Sequence, residues 1–70
     1  MTNEPAAAVV DARGMRCPWP ALRLARAMRS EHHVVLLADD PQAAREVAAL
    51  AAGHGWTVDA EGEGRWRVGR

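Results

Sequence analysis

Apolar residues along this chain come in two rhythms, short strand-like runs and longer stretches recurring every three or four positions. Ala6 to Ala12 is short and apolar and stops at Arg13-Gly14, which predicts a strand over Ala8 to Ala12 and a turn opened by Gly14. From Pro18 to about Arg29 the period is helical. Ala21, Leu24, Ala25 and Met28 share one face, Leu22 lies to its side, and Arg23 and Arg26 fall outside it. Ser30 to His33 has no period and predicts a loop. Val34 to Ala38 is a continuous branched run, the pattern of a central strand.

Asp40-Pro41 then pairs a capping carboxylate with a proline at a first helical position. A second helix is predicted from Pro41 to about Ala52, with Ala44, Val47, Ala48 and Ala51 along one face, Ala43 and Leu50 at its edge, and Gly53 as its stop. Trp56, Val58 and Ala60 alternate with polar neighbours, as do Arg65 to Val68. Glu61-Gly62-Glu63-Gly64 joins them into a hairpin whose Trp56, Val58, Trp66 and Val68 face the helices. The order βαβαββ predicts an α/β two-layer sandwich, a four-stranded mixed sheet with two helices packed on one face.

The chain has 70 residues, enough for a single domain (1–70) with a thin core and a loose N-terminus over residues 1–7. Residues 1–8 lack a basic start and a long apolar run, so no signal peptide is expected, and no stretch reaches the length of a membrane span. A lone cysteine fits a reducing compartment, and a cytoplasmic domain is expected. Net charge is zero, which gives no support to nucleic-acid binding, but the charges are segregated. Arg13, Arg16, Arg23, Arg26 and Arg29 follow one another without an intervening acid, whereas residues 30–64 hold seven acids against Arg45 alone. A solvated helix face and a partner-docking surface are both open readings of that row.

The single cysteine, Cys17, stands in Arg13-Gly14-Met15-Arg16-Cys17-Pro18-Trp19-Pro20, with two prolines starting the helix behind it. Helix-end amides, the positive end of the helix dipole and the flanking Arg13 and Arg16 favour thiolate, so a lowered pKa is expected. With no second sulfur the site cannot be a dithiol redox pair; it can hold one extra sulfur or one mixed disulfide. His32, His33 and His54 have no spacing that joins them to Cys17, and no metal is expected. Asp11 reads as a strand-end residue or as an acceptor that shapes the Arg13-Gly14 turn.

From Asp11 to Pro20, with Asp39-Asp40-Pro41 before the second helix and Gly55 before the third strand, the chain resembles the TusA/SirA-like sulfur carriers. Their mark is Asp-x-Arg-Gly at a strand end followed by Cys-Pro-x-Pro. The resemblance implies a small two-layer domain acting as a sulfurtransferase, with Cys17 carrying sulfur as a transient persulfide and no other cofactor. Arg13, Gly14, Arg16, Pro18 and Pro20 would shape the site. The implied partners are a donor, a cysteine desulfurase or rhodanese-like protein, and an acceptor in a sulfur relay, met by a monomer that touches neither membrane nor nucleic acid. Trp19 stands where glutamate or a smaller residue is usual and, with Arg23 and Arg26, is the candidate docking surface. Glu46 replaces a usual aspartate and Ala48 a usual proline, changes expected to leave the chemistry alone. The alternative is a non-catalytic interaction or regulatory module on the same fold, with RNA binding behind it. Nothing in the residues chooses between tRNA thiolation, molybdenum cofactor synthesis and sulfur oxidation as the destination of the sulfur.

Overall fold

A computed structural model describes residues 8–70; the expected loose N-terminus lies outside them. The chain runs β1 (Ala8–Asp11), α1 (Trp19–Ala27), β2 (His33–Leu37), α2 (Ala43–His54), β3 (Thr57–Gly62) and β4 (Arg65–Gly69). The strands form one sheet in the order β1-β2-β4-β3. β1 and β2 are parallel, while β4 pairs antiparallel with both β2 and β3. This is the expected α/β sandwich, and its register explains the core. Ala8, Val34, Val68 and Val58 form one cross-strand row, and Val10, Leu36, Trp66 and Ala60 another. Val34, Leu36 and Val68 from these rows are fully buried with Leu24 and Met28 of the α1 segment and Val47 of α2. Trp56, Val58 and Trp66 pack against that cluster, as their alternation predicts.

The intervening row, Val9, Val35, Arg67 and Asp59, belongs to the other face of the sheet. Val9 is 62% exposed there, at the edge of the sheet, whereas Val35 on the central strand is covered.

Both ends of α2 differ from expectation, and β1, α1 and β2 are displaced by one or two residues at their ends. α2 starts at Ala43 rather than Pro41, because Asp40 builds a turn of its own: its Oδ1 accepts from Gln42 N at 2.8 Å and its carbonyl from Ala43 N at 3.0 Å. α2 also runs through Gly53 and ends at Gly55, which has φ 72°. Gly55 N donates to Ala52 O and Trp56 N to Ala51 O, the paired bonds of a Schellman end. With the helix set in this way, Ala43, Val47 and Ala51 are buried while Ala44 and Ala48 are exposed. Alanine is small and apolar on either side of a helix, so a stripe rich in it is poorly fixed by hydrophobic period alone.

Parallel pairing of β1 with β2 decides where the chemistry sits. Asp11 is level with Leu37, and Ala12 N donates to Leu37 O at 2.7 Å, so both strands end at the same edge of the sheet. The loops leading into α1 and α2 therefore leave side by side.

Candidate functional site

Cys17 is exposed and lies in the first of those loops, two residues before α1. Trp19 N donates to Arg16 O and Leu22 N to Pro18 O, so the chain is already turning as it passes the thiol. Pro18 takes the N-cap position and offers no side-chain cap; the Cys17–Pro18 peptide is cis. Pro20 is buried and anchors the first turn, whereas Trp19 beside it is 59% exposed.

The second loop holds the first in place with two carboxylates. Asp39 Oδ1 accepts from Gly14 N at 2.9 Å, and Asp40 Oδ2 accepts from Cys17 N. Gly14 has φ 83°, a left-handed conformation that glycine adopts without strain. The two loops enclose an open cleft of about 630 Å³, lined by Gly14, Met15, Arg16, Cys17, Asp39, Asp40 and Pro41. Arg13 is engaged by Asp11. Its backbone N, Nε and Nη2 all donate to the Asp11 carboxylate, at 3.1, 2.9 and 2.8 Å. Asp11 is thus both the strand end and the turn-shaping acceptor, and Arg13 holds its pKa down to about 2. The pair is complete above the ordinary carboxylate range and is lost as pH falls through about 2.

Glu46 of α2 reaches the thiol. Cys17 Sγ donates to Glu46 Oε2 at 2.8 Å. The other carboxylate oxygen, Oε1, is shielded from solvent and has no hydrogen-bond partner. This geometry reverses the expectation of a lowered thiol pKa. The hydrogen bond to Glu46 pushes the Cys17 pKa up, with partial desolvation and the charges of Glu46 and Asp40 adding to it. A helix end offers about half an elementary charge, whereas Glu46 brings a full one to hydrogen-bond distance. Arg13 is engaged with Asp11, and the charge of Arg16 acts on Asp40.

Among the expected site residues, Gly14, Arg16 and Cys17 meet in the cleft, and Arg13 lines the neighbouring hollow with Asp39, Asp40 and Trp66. Arg23 and Arg26 lie apart, flanking Val10 of the β1 edge. His54 stacks on Trp56 with ring centroids 4.3 Å apart, and no three His, Cys, Asp or Glu side chains among the described residues are placed to share a metal ion. Asp39 and the Asp40–Cys17 bridge were not foreseen, and Glu46, expected to leave the chemistry alone, is hydrogen-bonded to the thiol and shifts its pKa. The adjacent acids before Pro41 were visible as a cap, but which acid meets the thiol depends on how α2 lies against the first loop.

Fold and site together define a small α/β domain that presents one exposed thiol between two parallel-strand loops. The family model described as "Sulfurtransferase TusA" matches residues 8–68, and the chain belongs to that family. Membership carries the general role of a sulfur carrier working with sulfur-relay partners. Compared with curated proteins one by one, the chain has no match. No helix among the described residues is long and apolar enough to cross a membrane.

Proposed function

We propose that Cys17 is the covalent site of a cytoplasmic sulfur carrier, taking sulfane sulfur from a desulfurase or rhodanese-like donor and passing it to a relay protein thiol. The observation that carries this is an exposed cysteine, held by its own backbone amide, in the loop that opens α1 of a chain belonging to the sulfurtransferase family. In the first step Cys17 gives up its proton to solvent, its Sγ bonds to the outer sulfur of the donor persulfide, the donor S–S bond breaks, and the donor leaves as a thiolate that takes up a proton. In the second step an acceptor thiolate attacks that outer sulfur, and the electron pair of the broken bond leaves with Cys17 Sγ. Each step exchanges one S–S bond for another and needs no cofactor beyond the persulfide itself.

Incubation with a cysteine desulfurase and cysteine should raise the intact mass by one sulfur atom, reversibly with dithiothreitol. Cys17→Ser should abolish the gain without lowering the melting temperature, since the side chain is exposed. The raised thiol pKa favours a second reading, an interaction module that leaves its thiol idle. Failure of every persulfide donor tested would select it.

Arg23 and Arg26 are exposed beside the β1 edge and, with the exposed Trp19, form the proposed docking surface for acidic partners. Such attraction acts on association rate and is screened over about 8 Å at physiological ionic strength. Replacing both arginines by glutamate is expected to slow sulfur transfer several-fold at low salt, less at high salt, with the melting temperature little changed. Equal rates for both proteins at low salt would make the row a solvated helix face.

A further inference from the structure

The acceptor step leaves Cys17 as a thiolate, and the structure puts that developing charge in a poor place. Glu46 Oε2 is 2.8 Å from the sulfur, and Asp40 is fixed beside it by its bonds to Cys17 N and Gln42 N. The charged groups around the sulfur come from three segments: Arg13 and Arg16 from the first loop, Asp39 and Asp40 from the second, and Glu46 from α2. Arg13 is committed to Asp11 and Asp39 to Gly14, which leaves Arg16 as the cation lining the cleft against two carboxylates close to the thiol. The half-satisfied Glu46 is the second part of the observation. Its Oε1 is removed from water with no hydrogen-bond partner, an arrangement that costs free energy and leaves the carboxylate half-satisfied.

We propose that Glu46 is the specificity-determining residue of the sulfur exchange: its carboxylate holds Cys17 as a thiol at rest and, with Asp40, turns anionic small molecules away, so that exchange is reserved for protein thiols whose surface brings a cation or hydrogen-bond donor to Glu46. This rests on the carrier reading. In the unassisted step, a glutathione thiolate attacking the outer sulfur must approach two carboxylates and drive out a Cys17 thiolate beside them. A docked partner that neutralises Glu46 lowers both obstacles, leaving only Asp40 beside the sulfur. The net exchange, acceptor thiol plus Cys17 persulfide giving acceptor persulfide plus Cys17 thiol, consumes no oxidant or reductant.

The test compares wild type with Glu46→Gln, and with Glu46→Asp as a charge-preserving variant should the amide fail to fold. Alkylation is followed against pH with neutral iodoacetamide and anionic iodoacetate. Sulfur-loaded protein is then chased with anionic glutathione and with cationic cysteamine. In Glu46→Gln the iodoacetamide midpoint should move to lower pH. At high pH, where the thiol is ionised in both proteins, iodoacetate should gain several-fold relative to iodoacetamide. Sulfur loss to glutathione should rise several-fold, and more than loss to cysteamine. Glu46→Asp should keep the wild-type preference against the anionic reagents. An unmoved midpoint, or equal gains for anionic and neutral or cationic reagents, would overturn the proposal. If wild type takes up no sulfur, the carrier reading falls, and the alkylation results alone still decide whether Glu46 holds the thiol.

Discussion

Leu36→Ala is expected to cost about 2–5 kcal/mol, read as a large fall in the urea midpoint. Leu36 is fully buried on β2, the strand between β1 and β4, level with Val10 on one side and Trp66 on the other. Its side chain belongs to the cluster that includes Leu24, Met28 and Val47, so truncation opens a cavity bordered by both layers. A domain of this length has about 4–10 kcal/mol in total, from roughly 0.05–0.15 kcal/mol per residue. The single change therefore removes a large fraction of it. Val9→Ala is the control. Val9 is 62% exposed on the other face of the sheet, and its loss should stay within about 0.5 kcal/mol. Equal losses for the two variants would show that the helix-facing row is not the principal core. Sulfur uptake should fail in Leu36→Ala at temperatures where it unfolds, because the loops around Cys17 leave from the ends of β1 and β2.

Why that row could be seen in advance, and the thiol's surroundings could not, follows from what each depends on. Val34 to Ala38 is branched, continuous and bounded by polar residues, so a central strand is nearly its only solution. The alternation at Trp56, Val58, Trp66 and Val68 fixes a face in the same local way. Cys17 at the entrance to α1 was legible for similar reasons, from the prolines around it. Its electrostatics were not. They come from contacts with residues 23 and 29 positions away, and a local argument from the helix end gave the wrong sign for the pKa. Glu46 reads as an ordinary first-turn acid of α2 until the packing of α2 beside the first loop brings it to the sulfur.

The glycines separate what a residue type suggests from what its position requires, and the contrast yields a prediction of opposite signs. Gly53 was expected to stop α2, but it lies within the helix, and a Cβ there would meet open space. Gly53→Ala should therefore stabilise the protein by about 0.4–1 kcal/mol, through helix propensity and a less disordered unfolded chain. Gly64 lies in the tight connection between β3 and β4 with φ 71°. A Cβ on it would sit 2.7 Å from Ala38 O, a backbone atom that cannot swing aside. The left-handed conformation alone costs a non-glycine residue about 1–2 kcal/mol, and the clash adds to it. The damage should also travel. Ala38 N donates to Gly64 O at 3.0 Å, and Ala38 directly precedes Asp39 and Asp40, the two carboxylates that hold Gly14 and Cys17. Gly64→Ala should accordingly lower the melting temperature by several degrees while Gly53→Ala raises it. Hydrogen exchange should show faster exchange at the Gly14 and Cys17 amides in Gly64→Ala under conditions where the protein remains folded. If those amides stay as protected as in wild type, the β3–β4 connection does not brace the loop carrying Asp39 and Asp40, and the order of the thiol site rests on the two loops alone.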